Sequence, residues 1–502
     1  MADVQSIDPR TGEVRATLGR ETTTQEVDGL VQRATKAARE LQHRDRAWRV
    51  ALLRTMADTL EAHRDEIVRV ADAETALGET RLNGELTRTC FQLRMFADVV
   101  DEGGYLEATI DHVGDTDMGP RPDLRRMLVP IGPVAVFGAS NFPLAFSVPG
   151  GDTASAVAAG CPVIVKAHES HPETSALCEA LLREAGASMG APEGLVAMVY
   201  GRDAGAALVQ HPGVMAVGFT GSVNGGRALM RLIDQRPSPI PFYGELGSIN
   251  PLVVTEAAAA ERHQEVGEGL ARSFTLGGGQ FCTKPGVAFV PAGSGGDDLV
   301  RTVAETIADN PAPVLLNGAI WSSFGTGVDA LRAQPEVREV AVGRLADTGP
   351  KARAAVLLEV DVADLDDSMF EECFGPVTLV VRYRDRDSLL GALERMPASL
   401  TATFHTGPGE DGVDPLVRET LEARAGRVIY NGFPTGVSVA WAQNHGGGWP
   451  ASNSLHTSVG PTAIRRFLRP VTWQDAPSSA LPVELRDETT GLPRRVNGSL
   501  VL

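Results

Sequence analysis

The segment PVAVFG, residues 133–138, opens the part of the chain that decides the fold, because three similar apolar runs follow it. They are PVIVKA (162–167), GLVAMVYG (194–201) and VMAVGFTGS (214–222). Each run has the length of a buried strand, and Gly or Pro bounds it. The stretches between the runs have the apolar spacing of helices. This alternation predicts an α/β fold with a parallel sheet covered by helices on both faces.

A second alternation follows it and predicts a further α/β unit. A helix is expected over Glu261–Phe274. The expected strands are NPLVVTE (250–256), VAFVPAG (287–293), VTLVVRY (377–383), TATFHT (401–406) and GRVIYNG (426–432). Ligands of such sheets bind at the carboxyl ends of the strands, so polar residues there are the first candidates for a site.

The flanking segments have different patterns. The first hundred residues predict helices over 28–41, 47–73 and 84–100. Residues 105–130 predict an extended hairpin punctuated by Gly and Pro. The C-terminal part predicts a basic, apolar strand near 463–473, and the composition from Ala476 onward is that of a disordered tail.

Composition excludes several classes of function. The chain has 502 residues, enough to bury a large core, and a net charge of −18, which argues against nucleic acid or an anionic membrane as the main partner. No apolar run is long enough for a membrane span, and the N-terminus has no signal-peptide core. Five scattered cysteines without a CxxC pair predict free thiols in a reducing cytoplasm and no metal site.

Four short stretches contain candidate functional residues, and each stretch has an ordinary structural alternative. Cys282 follows three glycines near an expected helix start, where it could be a nucleophile or simply a small buried residue. Glu245, between glycines in FYGELGS, could be a general base or a solvated carboxylate. Asn141 could donate to an oxyanion or cap a helix. GFTGSVNGG (218–226) could bind phosphate or form a tight turn.

Taken together and in order, these stretches resemble the aldehyde dehydrogenase superfamily over roughly residues 5–475. The matching motifs are SNFPL (140–144), VIVKAHE (163–169), GFTGS (218–222), GELGSINP (244–251), GGGQFC (277–282) and EECFGPV (371–377). Further stretches, among them GELTRTCFQLRMFADVV (84–100) and NGFPTGVSVA (431–440), resemble the bacterial branch of α-ketoglutarate semialdehyde dehydrogenases.

The resemblance implies an enzyme that oxidises an aldehyde to a carboxylic acid with NAD or NADP. Cys282 would be the nucleophile, Glu245 the base that activates water, and Asn141 an oxyanion donor. The residues implied to bind the cofactor are Lys166, Glu169, Gly221, Ser222, Glu372 and Phe374.

The resemblance also implies three parts of the chain. A Rossmann-like cofactor domain would comprise residues 1–105 and 131–246, and a catalytic domain residues 247–445. Residues 106–130 and 446–502 would form a β oligomerisation arm and the tail. An exposed strand in this arm needs a partner, which favours a homodimer or homotetramer.

The sequence departs from the family pattern at Ser140, where the family often has a tryptophan or similar residue before the oxyanion asparagine, and at two further positions near the reacting groups. Ser248 replaces a glycine in the base motif, and Val287 replaces an arginine five residues after Cys282. Neither change removes a reacting group, but the sequence does not determine how the residues around these two positions pack.

Two residues lead to predictions of specificity, one for the cofactor and one for the substrate. The resemblance implies that the residue three after Lys166 lies beside the ribose 2′-hydroxyl, and here that residue is Glu169. A carboxylate there repels a 2′-phosphate, so we expect NAD to be preferred over NADP. The resemblance implies that the helix over 84–100 lines the aldehyde tunnel. Helical spacing places Arg88 on one face with Phe91, Gln92 and Met95, and an arginine on a tunnel-facing stripe would bind a substrate carboxylate. The alternative for Arg88 is an exposed ion pair.

Three classes of function therefore stand. The first is oxidation of a short semialdehyde, such as α-ketoglutarate semialdehyde, with medium-chain, long-chain or aromatic aldehydes as alternatives. The second is a CoA-acylating dehydrogenase, which Glu245 disfavours because that reaction needs no activated water. The third is a non-enzymatic binding protein, which the joint presence of Cys282, Glu245 and Asn141 disfavours.

Overall fold

The computed structural model describes residues 2–345 and 349–502. The N-terminal part is mainly helical, as predicted. Its elements are β1 (Asp3–Ile7), β2 (Val14–Arg20), α1 (Thr24–Leu41), α2 (Arg46–Ala62), α3 (Arg64–Thr75) and α4 (Glu79–Glu102). Side chains of Thr23 and Asp45 accept backbone N–H groups and fix the starts of α1 and α2. None of the described helices is both long and apolar enough to cross a membrane.

The next part contains four short strands and then the first alternating unit. The short strands are β3 (Thr109–Asp111), β4 (Gly114–Thr116), β5 (Gly119–Arg121) and β6 (Leu124–Pro130). The alternating unit comprises β7 (Val134–Phe137), α5 (Gly151–Ala159), β8 (Val163–Lys166), α6 (Pro172–Ser188), β9 (Val196–Val199), α7 (Arg202–Gln210), β10 (Ala216–Thr220), α8 (Val223–Asp234) and β11 (Phe242–Glu245).

This unit forms a five-stranded parallel sheet in the order β11-β10-β7-β8-β9, which confirms the prediction. Side chains of β7 alternate between two cores. Val134 and Val136 pack with α2 and α4 on one face, whereas Ala135 and Phe137 pack with α1 and α7 on the other. The chain reverses its direction of winding between β7 and β10, so a crevice opens at the carboxyl ends of these strands.

The second alternating unit forms a larger sheet. Its elements are β12 (Leu252–Val254), α9 (Glu256–Thr275), β13 (Val287–Pro291), α10 (Ser294–Ala308), α11 (Gly318–Arg332), β14 (Arg338–Val342), β15 (Val356–Asp361), β16 (Val377–Tyr383), α12 (Arg386–Arg395), β17 (Ser399–His405), α13 (Pro415–Glu422) and β18 (Ala425–Tyr430). The strand order is β14-β15-β16-β13-β12-β17-β18, with β14 antiparallel and the others parallel.

The C-terminal part corrects two expectations. Residues 461–467 form a 3₁₀ helix, so the expected strand begins only at Leu468 as β19 (Leu468–Gln474). The segment after Ala476 was predicted to be disordered, and this was wrong. It contains β20 (Arg494–Val496) and β21 (Ser499–Val501), which extend the sheet β19-β6-β3-β20-β21. Polar composition misled the prediction because β20 is held by pairing with β3, far away in the sequence, and β21 then pairs with β20.

Candidate active site

A cavity of about 760 Å³ lies at the carboxyl ends of β7, β10 and β11. Eight of the ten residues predicted for the site line it, and they come from six separate stretches of the chain. These residues are Asn141, Glu169, Gly221, Ser222, Glu245, Cys282, Glu372 and Phe374. Lys166 and Arg88 lie next to other members of the site and are described below.

The loop before Cys282 owes its shape to three glycines. Gly277, Gly278 and Gly279 all have positive φ, and a Cβ on Gly279 would lie 2.3 Å from the Gly375 carbonyl group. The nucleophile loop therefore contacts the backbone of the EECFGPV motif. Cys282 is followed by a turn and by β13, so the expected nearby helix start is wrong and gives no dipole to activate the thiol.

Ser248, one departure from the family pattern, supports this loop. Its hydroxyl donates to Asn250 Oδ1 at 2.7 Å and accepts the Leu400 N–H at 2.9 Å. The Asn250 amide in turn donates to the carbonyls of Cys282, at 2.8 Å, and Lys284, at 2.9 Å. Val287, the other departure, is fully buried in β13. Both substitutions are therefore accommodated in the packing behind the thiol.

Two residues that sequence reasoning missed hold the side chain of Glu245. His445 contacts Oε1 through its Nε2, and the Ser458 hydroxyl donates to Oε2. The same Nε2 lies 3.7 Å from Cys282 Sγ. Thus one buried imidazole lies between the predicted nucleophile and the predicted base. The sequence signal was weak, since His445 stands in a glycine-rich stretch far from Cys282.

Electrostatics oppose a resting thiolate at Cys282. Burial, followed by the carboxylates of Glu245 and Glu372, raises the pKa of the thiol well above its ordinary value. Burial also acts to raise the pKa of Glu245, but the charge of His445 and hydrogen bonds from His445 and Ser458 outweigh it, so this pKa is lowered. The site therefore holds a thiol next to a carboxylate, and attack by sulfur needs a proton acceptor.

Asn141 lies on the loop after β7. Its Nδ2 donates one hydrogen to the Gln280 carbonyl at 2.8 Å, which leaves the second hydrogen of the amide for another acceptor. The Arg81 guanidinium donates to the Asn141 carbonyl and packs over the rings of Phe142 and Phe281. These contacts join the Asn141 loop to the Cys282 loop.

At the opposite end of the cavity, Glu169 pairs with two cations. Its Oε1 accepts from Lys166 Nζ at 2.9 Å and lies 3.6 Å from Arg202 Nε. Burial acts to raise the pKa of Glu169, but the charges of Lys166 and His168 and the Lys166 hydrogen bond outweigh it and lower the pKa. Glu169 is therefore charged, half-exposed and partly neutralised by its neighbours.

The middle of the cavity provides groups for a phosphate and a sugar. Ser222 caps α8, so the first N–H groups of this helix lie beside Gly221 at the cavity wall. Glu372 faces the cavity, and burial raises its pKa to about 7, against the opposing effects of Lys284 and the Ser248 N–H. Lys284 Nζ donates to the carbonyls of Cys373 and Val377 and so fixes the loop that carries Glu372.

Arg88 differs from its predicted surroundings in one respect. Phe91 is 52% exposed, so it does not share the buried face, whereas Gln92 is buried as predicted. The reason is geometric, because positions i+3 and i+4 lie on opposite sides of the Arg88 direction. Arg94 lies off that face, as predicted, and pairs with Asp58 at 2.8 Å.

The guanidinium of Arg88 is not in an exposed ion pair. It packs over the Phe146 ring at 4.9 Å, and its Nη1 and Nη2 are buried without a hydrogen-bond partner among residues 2–345 and 349–502. Burial lowers the pKa of Arg88, while the charges of Glu85, Glu245 and Cys282 act to raise it. A cation with free donors thus lies within electrostatic reach of the nucleophile.

The fold and the cavity are those of a dehydrogenase. Residues 2–323 match the aldehyde dehydrogenase family, and the chain belongs to that family. It is an NAD(P)-dependent oxidoreductase that converts an aldehyde to an acid.

Similar proteins agree with this assignment. The chain is 45% identical over 478 residues to alpha-ketoglutaric semialdehyde dehydrogenase 2 of Azospirillum brasilense, covering 93% of this chain and 91% of the relative. It is 39% identical to the alpha-ketoglutaric semialdehyde dehydrogenase of Acinetobacter baylyi, over 95% of this chain and 92% of the relative.

Solved structures share the fold. An aldehyde dehydrogenase from Bacillus cereus, in complex with NAD⁺, superposes with a TM-score of 0.80 at 20% identity, covering 94% of this chain and 93% of the other. A protein described as a possible aldehyde dehydrogenase from Burkholderia cenocepacia superposes with a TM-score of 0.80 at 21% identity. The match covers 94% of this chain and 96% of the other.

Proposed function

We propose that the protein oxidises a short semialdehyde that carries a carboxylate, with α-ketoglutarate semialdehyde as the substrate. The observation on which this rests is Arg88, whose buried Nη1 and Nη2 have no protein acceptor in the described ranges. A buried cation without an acceptor is costly, and a bidentate substrate carboxylate would supply one. The names of the two relatives at 45% and 39% identity support this choice.

The position of Arg88 also argues against the alternative substrates. A fatty or aromatic aldehyde would bring an apolar group to the guanidinium and leave its donors unsatisfied. Relatives at 30% identity are named N-succinylglutamate 5-semialdehyde dehydrogenases, and that substrate likewise carries carboxylates. The shared chemistry is an aldehyde at one end of the substrate and a carboxylate further along.

In this proposal Cys282 attacks the aldehyde carbon and forms a thiohemiacetal. Asn141 Nδ2, with its second hydrogen, and the backbone N–H of Cys282 donate to the oxyanion. His445 Nε2 first passes its proton to Glu245 Oε1, with which it is in contact, and then accepts the thiol proton from Cys282 Sγ, which lies 3.7 Å away. Glu245 releases the proton it received to solvent before the hydrolytic step. After the oxidation step, Glu245 activates water, which hydrolyses the thioester to the acid.

NAD(P) supplies the acceptor for the hydride when it is bound. The residues of this chain fit that group, because the cavity runs from Glu169 to Cys282 past the start of α8. Gly221 and Ser222 would hold the pyrophosphate, Glu372 the nicotinamide ribose, and Phe374 the ring. Glu169, held by Lys166, would accept hydrogen bonds from the ribose hydroxyls. Its negative charge repels a 2′-phosphate and so favours NAD over NADP.

A CoA-acylating reaction is the second candidate for the fate of the thioester. The carboxylate of Glu245 argues for water as the acceptor, since His445 and Ser458 hold it charged beside Cys282. Formation of the free acid in the absence of CoA distinguishes the two reactions.

We also propose the three-part division of the chain predicted from the sequence, with the boundaries at 105, 130, 246 and 445. The separate five-stranded and seven-stranded sheets support it. The strands β19 and β21 at the edges of the third sheet favour a homodimer or homotetramer. The cytoplasmic location stays a prediction from the free cysteines.

A substrate panel tests the proposed function. The wild-type protein is assayed with α-ketoglutarate semialdehyde, glutarate semialdehyde, pentanal and benzaldehyde, each with NAD and with NADP. We expect kcat/KM for the two carboxylated five-carbon aldehydes to exceed that for pentanal by at least about tenfold, since a charged hydrogen-bonded contact is lost in pentanal. Equal values for all four aldehydes would refute the substrate class and leave the dehydrogenase assignment intact.

A further inference from the structure

The groups that surround the nucleophile also have the composition of a metal site. Donor atoms of Glu245, Cys282 and His445 all lie within 4.8 Å of one another. Sulfur, imidazole nitrogen and carboxylate oxygen are the three ligand types that Zn²⁺ takes in proteins. The sequence predicted no metal site, because these residues lie far apart along the chain and have none of the usual zinc-ligand spacings.

One of the three ligand pairs already has the spacing of tetrahedral coordination. Zn–S and Zn–N bonds of about 2.3 and 2.05 Å at a tetrahedral angle place sulfur and nitrogen roughly 3.6 Å apart. Cys282 Sγ and His445 Nε2 are 3.7 Å apart, so this pair needs almost no movement. His445 Nε2 and Glu245 Oε1 are in direct contact and must separate by about 1 Å to admit the ion.

The surroundings orient these three ligands and leave a path to them from the cavity. His445 and Glu245 are buried, whereas Cys282 faces the cavity. Ser458 holds Oε2 of Glu245 and thereby turns Oε1 toward the other two ligands. Three protein ligands leave the fourth position open to a water molecule from the cavity.

We propose that Glu245, Cys282 and His445 form a Zn²⁺ site whose occupation reversibly inhibits aldehyde oxidation. The Cys282 thiol proton and the His445 Nε2 proton pass to solvent as the Zn–S and Zn–N bonds form, and no oxidation or reduction takes place. The bound ion coordinates Cys282, His445 and Glu245 together, which are the proposed nucleophile, its proton acceptor and the hydrolytic base. Inhibition therefore follows from occupancy alone, for any aldehyde.

Calorimetric titration tests this with full-length protein freed of metal by a chelator, in the absence of aldehyde and cofactor. We expect one Zn²⁺ per chain, and at least a tenfold loss of affinity in His445→Gln and in Cys282→Ser. His456→Gln, an exposed histidine on the same segment, is the control and should bind like the wild type. With Co²⁺ in place of Zn²⁺, a thiolate-to-metal charge-transfer absorption should appear in the wild type and be absent in Cys282→Ser.

A second measurement avoids any variant that fails to fold. Iodoacetamide should alkylate Cys282 in the folded wild-type protein, because the other four cysteines are buried. The alkylated protein should no longer bind Zn²⁺ at this stoichiometry. Inhibition of the untreated enzyme by Zn²⁺ should be reversed fully by EDTA. Unchanged Zn²⁺ affinity after alkylation, or equal affinity in the wild type and His445→Gln, would overturn the proposal without affecting the proposed dehydrogenase activity.

Discussion

His445 Nε2 lies 3.7 Å from Cys282 Sγ and touches Glu245 Oε1, so a single imidazole joins the proposed nucleophile to the proposed hydrolytic base. The thiol has a raised pKa because of burial and two nearby carboxylates. Its activation therefore depends on a group that removes the proton at the moment of attack rather than on a standing thiolate.

Replacing His445 with Gln should slow formation of the thiohemiacetal by about a hundredfold, because general-base catalysis contributes on that order. Stopped-flow measurement of the first turnover of reduced cofactor reports this step. The rate of iodoacetamide alkylation of Cys282 should fall in parallel. His456→Gln should change neither rate, and an unaltered first turnover in His445→Gln would show that another base acts.

Cys282→Ala should abolish aldehyde oxidation and leave cofactor binding measurable, because the cofactor contacts come from other stretches. Residual activity above roughly a few per cent of the wild-type rate would rule out Cys282 as the nucleophile.

Glu245→Gln should affect the later step more than the first. The amide cannot activate water, so the thioester should accumulate. A burst of reduced cofactor followed by slow turnover is the expected trace in a rapid-mixing experiment, and mass spectrometry of the quenched protein should detect the acyl adduct. A steady-state rate equal to that of the wild type would assign hydrolysis to a different base.

The cofactor preference should depend on the three charges at the end of the cavity. Glu169→Gln removes the repulsion of a 2′-phosphate and leaves Lys166 and Arg202 in place. We expect the ratio of kcat/KM for NADP to that for NAD to rise by about tenfold. Arg202→Gln, combined with the same change, should reduce the ratio again. If the ratio is unchanged in both variants, the 2′-position of the ribose does not lie beside Glu169.

Cofactor binding should strengthen as pH rises through 7. The pKa of Glu372 is raised to about 7, chiefly by burial, so the carboxyl is protonated below this pH and charged above it. Only the charged form accepts ribose hydroxyl hydrogens with full strength. The Kd for NAD, measured by calorimetry at pH 6, 7 and 8, should fall across the series. In Glu372→Gln the profile should be flat, and a parallel fall in that variant would assign the titration to another group.

The sequence predicted the parallel sheets well, because β7 and β8 are buried runs that end at Gly or in a polar loop. It also identified residues that line the cavity, because Cys282, Glu245 and Asn141 each stand in a motif of the ordered family resemblance, although each alone had an ordinary structural alternative. It could not find His445, because a lone histidine among glycines has no local pattern. Likewise, β20 depends on pairing with β3, which local composition does not encode.

The central claim is that Arg88 recognises a substrate carboxylate near Cys282. The most direct measurement compares Arg88→Met with Arg94→Met, a matched arginine on the same helix that pairs with Asp58. We expect Arg88→Met to raise KM for α-ketoglutarate semialdehyde at least tenfold and to change KM for pentanal less than about threefold, while Arg94→Met should alter neither. Equal increases for both aldehydes in Arg88→Met would contradict the claim.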